Sequence, residues 1–297
     1  CLFIIACGLT CLETAANPYT TVLGPPEYGE RRINFSQSFN GLGWIAGPLV
    51  GGMLIFSANE GSNRFSSIAL PYMLIGSLVL IVAFLFWRIR FPELREEAEE
   101  RTQGSGGSIK DLFRYRHFVL AVIAQFLYVA AQTGINSFFI NYVTEEITSV
   151  TNQQAAQILG IGGMGLFWLG RFTGSTVFMR LFRPNRLLAF YATANVITMA
   201  LVVAGLGWTS VVALFSTYFF MSVMFPTIFA LGIKDLGPLT KKGSSLLVMS
   251  IAGGAIVPVL MGHIADVSTM AIGFIVPLVC FAFIVFYGIK GYSVKGA

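Results

Sequence analysis

Apolar runs of about twenty residues or more recur from one end of this chain to the other, with only short polar breaks, and that pattern leaves few folds open. In hydrocarbon every backbone N–H and C=O must be paired within the protein, so a spanning segment is either a helix or part of a closed barrel. Barrel strands alternate in polarity over ~10 residues, whereas these runs are continuous. The fold class read from this is all-α, a polytopic membrane protein. Composition agrees, with 11% charged residues against about 25% in soluble domains. Nine spanning helices are expected over 1–24, 34–57, 66–89, 115–143, 153–180, 185–206, 208–233, 241–265 and 269–290.

The placement of Lys and Arg sets the topology. Eighteen of the 19 basic residues fall on one side of these nine segments, leaving only Arg64 on the other. The basic side is expected to be cytoplasmic, with the C-terminus inside, and the net charge of +5 reads as a topology signal rather than a nucleic-acid footprint. The longest polar stretch, 92–113, joins an acidic, helix-prone half to a Gly/Ser-rich half. It divides the chain into three helices over 1–91, a cytoplasmic linker over 92–113, and six helices over 114–297.

An internal repeat fills in the architecture. Pro18-Tyr-Thr-Thr-Val-Leu23-Gly24 matches Pro226-Thr-Ile-Phe-Ala-Leu231-Gly232 at an offset of 208. With two residues inserted in the second loop, Pro48 pairs with Pro258 and Gly52 with Gly262, while Arg31-Arg32 faces Lys241-Lys242. The first two helices thus recur six helices later in the same orientation, the parallel-repeat plan of major facilitator transporters. On that plan these are helices 4–12 of twelve, nine of the full set. Three would precede Cys1.

Within the first run, Cys1 to Pro26, the one charge is Glu13. An ionised group at mid-membrane costs about 2.5–3.5 kcal/mol on insertion scales, so such residues face a cavity and act there. Asn17 lies four residues on, on the same face. Segment 34–57 begins with Gln37, Asn40 and Trp44 on one face, and 115–143 carries Gln125, Tyr128, Gln132, Asn136 and Phe139 at steps of three and four. The competing reading of such amides is interhelical packing, worth about 0.6 kcal/mol each. Segments 66–89 and 269–290 hold almost no polar groups and are expected to face lipid. Glycines 43, 47 and 51, and 170 with 174, have the spacing that lets helices approach closely. Pro48 and Pro258 are candidate flexing points.

Sharper chemical motifs fail. Gly160 to Gly165 fits GxGxxG, but no strand precedes it and no acid follows at the required distance. Asn34-Phe-Ser36 is a glycosylation sequon on the cytoplasmic side. His263 and Asp266 could pair across one turn as an interfacial ion pair. Cys1, Cys7, Cys11 and Cys280 sit in apolar segments, where small buried apolar residues are expected rather than disulfides or metal ligands. No GxSxG or HExxH motif occurs, so the chain is read as no enzyme and without a cofactor.

CLETAANPYTTVLGPPE, ERRINFSQSFNGLGWIAGP, AQFLYVAAQT, GRFTGS, FPTIFALGIKDLGPLTKKGSSLLVMSIAGGAIVP and MGHIAD together resemble the fucose/glucose–galactose permease family of the major facilitator superfamily. The resemblance implies a symporter of the bacterial inner membrane that takes up a hexose such as glucose, galactose, fucose or N-acetylglucosamine with a proton, or in some branches a sodium ion. Glu13 is then implied to be the coupling acid and to bind substrate. Gln37, Asn40 and Gln132 are implied to contact sugar, and Asn17, Asn136 and Tyr128 complete the expected binding set. Gly170-Arg171 resembles the family's cytoplasmic loop motif, a conformational latch. The rival readings are a facilitative uniporter or another solute's carrier on the same fold, and a sugar-binding membrane receptor that does not transport. Proton movement and whole-cell uptake separate them.

Overall fold

The computed structural model describes residues 2–56, 64–89 and 108–294, and it is helical throughout. Helices α1 (Leu2–Val22), α2 (Gly29–Phe56) and α3 (Arg64–Arg88) come first. The expected linker falls largely on 90–107, outside the described residues. A short turn, Ile109–Leu112, follows, started by a capping box in which Ser108 and Asp111 satisfy each other's backbone donors. Then come α4 (Arg116–Glu146), α5 (152–181), α6 (Pro184–Val203), α7 (Trp208–Ile233), α8 (Gly237–Val267) and α9 (Met270–Gly291). Nine rods therefore cover the described residues, and α4 and α6 to α9 are each long and apolar enough to span a bilayer.

The boundaries follow local chemistry. Thr151 starts α5 with a second capping box through Gln154, and Pro184 opens α6 at a position where its missing N–H costs nothing. Within α5 the ladder widens to π-helix at Ile158–Gly163 and Gly174–Phe178. The first of these covers the GxGxxG stretch, which is therefore helix and not a phosphate loop. In α7 the ladder breaks at Ser222 and Val223, between Trp208–Met221 and Met224–Ile233. Pro226 explains the break: it has no N–H for the carbonyl four residues back, that of Ser222, and its ring crowds that carbonyl.

Helix α4 packs against α7, α8 and α9, α6 packs against α7 and α9, and α2 crosses to both α5 and α7. Close approach rests on glycine in places. A Cβ on Gly170 would meet the Phe219 carbonyl oxygen at 2.5 Å, and one on Gly174 would meet Val223 at 2.4 Å. The expected small-residue contact therefore forms on α5. Gly43 has open space instead, while Gly41 faces Trp168 at 3.3 Å; the surroundings of Gly47 and Gly51 lie outside what is described.

Three further expectations change. Helix α3 is exposed along 73–89, as a lipid-facing helix should be, with Trp87 at 80% exposure. Helix α9 is not simply lipid-facing, because it buries Phe274, Cys280, Phe281, Ile284 and Tyr287 against the bundle. A helix without polar groups can pack either way. Cys7 and Cys11 are exposed and free, and only Cys280 is the buried apolar residue expected of all of them; Cys1 lies outside the described residues. Finally, His263 and Asp266 are both exposed and make no ion pair.

Candidate functional site

The polar groups of α1 and α2 converge. Gln37 Nε2 donates to Asn17 Oδ1 at 2.8 Å, and Asn40 Nδ2 donates to Gln37 Oε1 at 3.0 Å. This amide relay joins the two helices, and its ends differ in exposure. Asn17 is 4% exposed with its Nδ2 unsatisfied, while Asn40 is open. Glu13 is half-buried on α1, one turn before Asn17 on the same face. The cluster presents a carboxyl and an exposed amide to a polar solute, with one unused amide donor buried behind them.

A second tier lies towards the basic end. Arg171 is 5% exposed. Its Nε donates to the Ser222 carbonyl at 2.7 Å and its Nη1 to the Gln37 backbone carbonyl at 3.1 Å. The first acceptor is the one that Pro226 leaves without a helical donor, so the proline break creates the docking point that the arginine fills. Gly170 lets α5 come near enough for this, and the guanidinium also lies 4.6 Å from the Phe167 ring centroid. Nearby, Asn34 Nδ2 donates to Thr227 Oγ1 at 3.0 Å and Arg31 Nε to the Ser175 carbonyl at 3.1 Å. These contacts clasp α2 to α5 and α7. Asn34 is wholly buried, so its sequon is no glycosylation site.

The stripe on α4 divides. Tyr128 is fully buried, with its hydroxyl donating to the Met221 carbonyl at 2.9 Å. That bond ties α4 to α7 and leaves no part of the ring open to solvent in this conformation. Gln125 and Phe139 are equally sealed. Asn136 is partly exposed, but its Oδ1 accepts from Tyr218 Oη at 2.9 Å. Gln132 is partly exposed. Trp44's side chain lies outside what is described. Sequence reasoning missed the Asn34 and Arg31 clasps and the Ser222 acceptor. For the last, the signal was present: a proline four residues after a carbonyl in a polar environment.

A helical bundle with a polar cluster on α1 and α2 and a clasp towards one end has the layout of a membrane transporter. The Major Facilitator Superfamily model matches residues 1–255. The chain is 42% identical to the L-fucose-proton symporter of Escherichia coli strain K12, over 95% of this chain and 69% of that protein. It is 35% identical to a glucose/galactose transporter of Brucella abortus, over 98% and 70%. Among solved structures it resembles the major facilitator transporter FucP in the outward conformation, at 38% identity and TM-score 0.89, covering 99% of this chain and 75% of that one. The chain belongs to the Major Facilitator Superfamily and, within it, to the bacterial family of fucose and glucose–galactose sugar transporters. It is a multi-pass membrane protein and no enzyme.

Proposed function

We propose that this chain carries the coupling and sugar-binding machinery of a hexose symporter driven by protons. Two bundles, 1–91 and 114–297, rock about the mid-membrane cluster, with 92–113 linking them in the cytoplasm. The basic end and the C-terminus face the cytoplasm of a bacterial inner membrane. The observation that carries the reading is the relay from Asn17 through Gln37 to Asn40 beside the half-buried carboxyl of Glu13.

In this mechanism Glu13, when protonated, donates to a sugar hydroxyl, while Gln37, Asn40 and the free Asn17 Nδ2 supply the remaining bonds. Gln132 and Asn136 complete the wall opposite. Loss of the Glu13 proton removes a donor and favours release. Arg171 latches the inner end by holding α2 and α7 together, so release requires its two carbonyl bonds to part. A polar group buried without a partner is costly, so the unused Asn17 donor favours occupancy by a hydroxyl.

The supporting comparison is the 42% identity to a protein named a fucose-proton symporter. The test is Glu13→Gln in the protein as its organism makes it. Accumulation against a gradient should vanish while sugar counterflow persists. Full active uptake by that variant would refute the coupling role, and a panel of fucose, galactose, glucose and N-acetylglucosamine identifies the substrate.

A further inference from the structure

At the basic end a cavity of about 420 Å³ opens on the seam between α2 and the helices that follow 114. Its volume is in the usual range for a small-molecule pocket. Glu27 and Glu30 line it from the α1–α2 connection, and Arg183, Asn185, Lys234 and Asp235 line it from the other side. Tyr292 and Ser293 of the chain's last described turn close it, with Leu231 as an apolar wall.

Glu30 is the singular residue here. The residue is only 8% exposed, and its carboxyl, turned to the open cavity, has no hydrogen bond or ion pair among the described residues. Arg32 is within electrostatic reach of it. That guanidinium, however, is spent on the carbonyls of Thr20 and Pro25, at 3.2 and 2.7 Å. Arg31 is likewise spent on Ser175. Across the cavity, Arg183 and Lys234 are exposed, and neither comes within 4.0 Å of an acid. Three carboxylates and two cations therefore ring one cavity, and no two of opposite sign touch.

The rim is also held in place. His117 Nε2 bonds the Lys234 carbonyl at 2.9 Å. Asp235 adopts φ 57°, the left-handed turn conformation that aspartate takes more readily than most other non-glycine residues. Asn185 Nδ2 reaches the Gly288 carbonyl at 3.4 Å, which leaves its amide oxygen free.

We propose that this seam is a second solute site, for a polyhydroxylated ligand such as a monosaccharide or its monophosphate. Carboxylates that accept, cations that donate and an amide that can do both are what adjacent hydroxyls need, since each hydroxyl donates one bond and accepts others. Leu231 and the Tyr292 ring offer surface to an apolar C–H face. Arg183 and Lys234 are the groups that would distinguish a phosphorylated from a free sugar. A ligand here spans residues on both sides of the seam. It would hold the basic end closed and slow the carrier when solute has accumulated inside.

The test is equilibrium binding of radiolabelled D-glucose, L-fucose and glucose 6-phosphate to the purified natural protein and its Glu30→Gln, Arg183→Ala and Gln37→Ala variants. At least one probe should bind a site that Glu30→Gln weakens tenfold or more and that Gln37→Ala leaves intact. A phosphorylated ligand is indicated when Arg183→Ala removes the margin of glucose 6-phosphate over glucose, and a free sugar when no such margin exists. Binding of every probe unchanged in both Glu30→Gln and Arg183→Ala overturns the proposal, even where Gln37→Ala abolishes it, because only the central site is then occupied. Inorganic phosphate competing as well as glucose 6-phosphate also overturns it, by making the seam a plain anion site.

Discussion

The α1–α2 pair and the α7–α8 pair share a sequence plan but serve opposite ends. At the offset of the repeat, Glu13 corresponds to Met221 and Asn17 to Phe225, and on the second helices Gln37 corresponds to Leu247 and Asn40 to Ser250. Where the first copy has a carboxyl and three amides, the second has two apolar chains, a ring and a small hydroxyl. Met221 and Leu247 are fully buried, whereas Glu13 and Gln37 are only partly so. One copy leaves its polar groups partly open and the other seals against α4. The prolines tell the same story. Pro18 leaves α1 an unbroken helix, while Pro226 accompanies a break that Arg171 fills. The two copies share a scaffold, and side-chain polarity sets them apart: the first carries the polar cluster and the second is mostly apolar and buried.

Exchanging residues between the copies tests that division most directly. Glu13→Met should reduce both active uptake and counterflow to background, the largest effect expected, because it removes a sugar bond as well as the proton carrier. Substantial counterflow in that variant would mean that Glu13 only couples. Next comes Arg171→Ala, which strands the carbonyls of Ser222 and Gln37. Hydrogen bonds to a charged group contribute about 1.5–3 kcal/mol, so a loss of about 3 kcal/mol is expected, read as a lowered melting temperature in detergent. An unchanged melt would remove the clasp from the account.

Gln37→Leu installs the second copy's residue and breaks both bonds of the relay. Sugar affinity should fall about tenfold, equivalent to about 1.4 kcal/mol, with the protein still inserted and folded. Equal affinity would show that the relay is packing. The smallest effect belongs to the supporting side. Tyr128→Phe gives up one bond to the Met221 carbonyl and should cost about 1 kcal/mol of stability, with sugar KM unchanged. A raised KM there would return Tyr128 to the binding set.

Much of this was legible in the chain, for definite reasons. Length and apolarity marked the spans because a bilayer admits little else, and the helix from Trp208 to Ile233 falls where the apolar run does. Glu13 stood out because one charge in a long apolar run is expensive wherever it points. The amides were harder. Gln37 and Gln125 look alike in sequence, yet one bridges α1 and α2 while the other is sealed in the bundle without a partner. Amides are affordable both as glue and as binding groups, so spacing alone cannot separate the two uses.

By itself the sequence determined the class of fold, the duplicated plan, the clustering of basic residues and the one charge in the first apolar run. Those properties follow from transfer costs and periodicity, which act residue by residue. Only the tertiary structure decided which face each stripe presents: that Tyr128 bonds the Met221 carbonyl, that Asn34 clasps Thr227, and that Arg171 seeks the carbonyl freed by a proline 55 residues away in the chain. It also brought Glu30 and Asp235 to one cavity. Such meetings depend on how helices cross and how closely glycine lets them approach, and no local pattern carries that information.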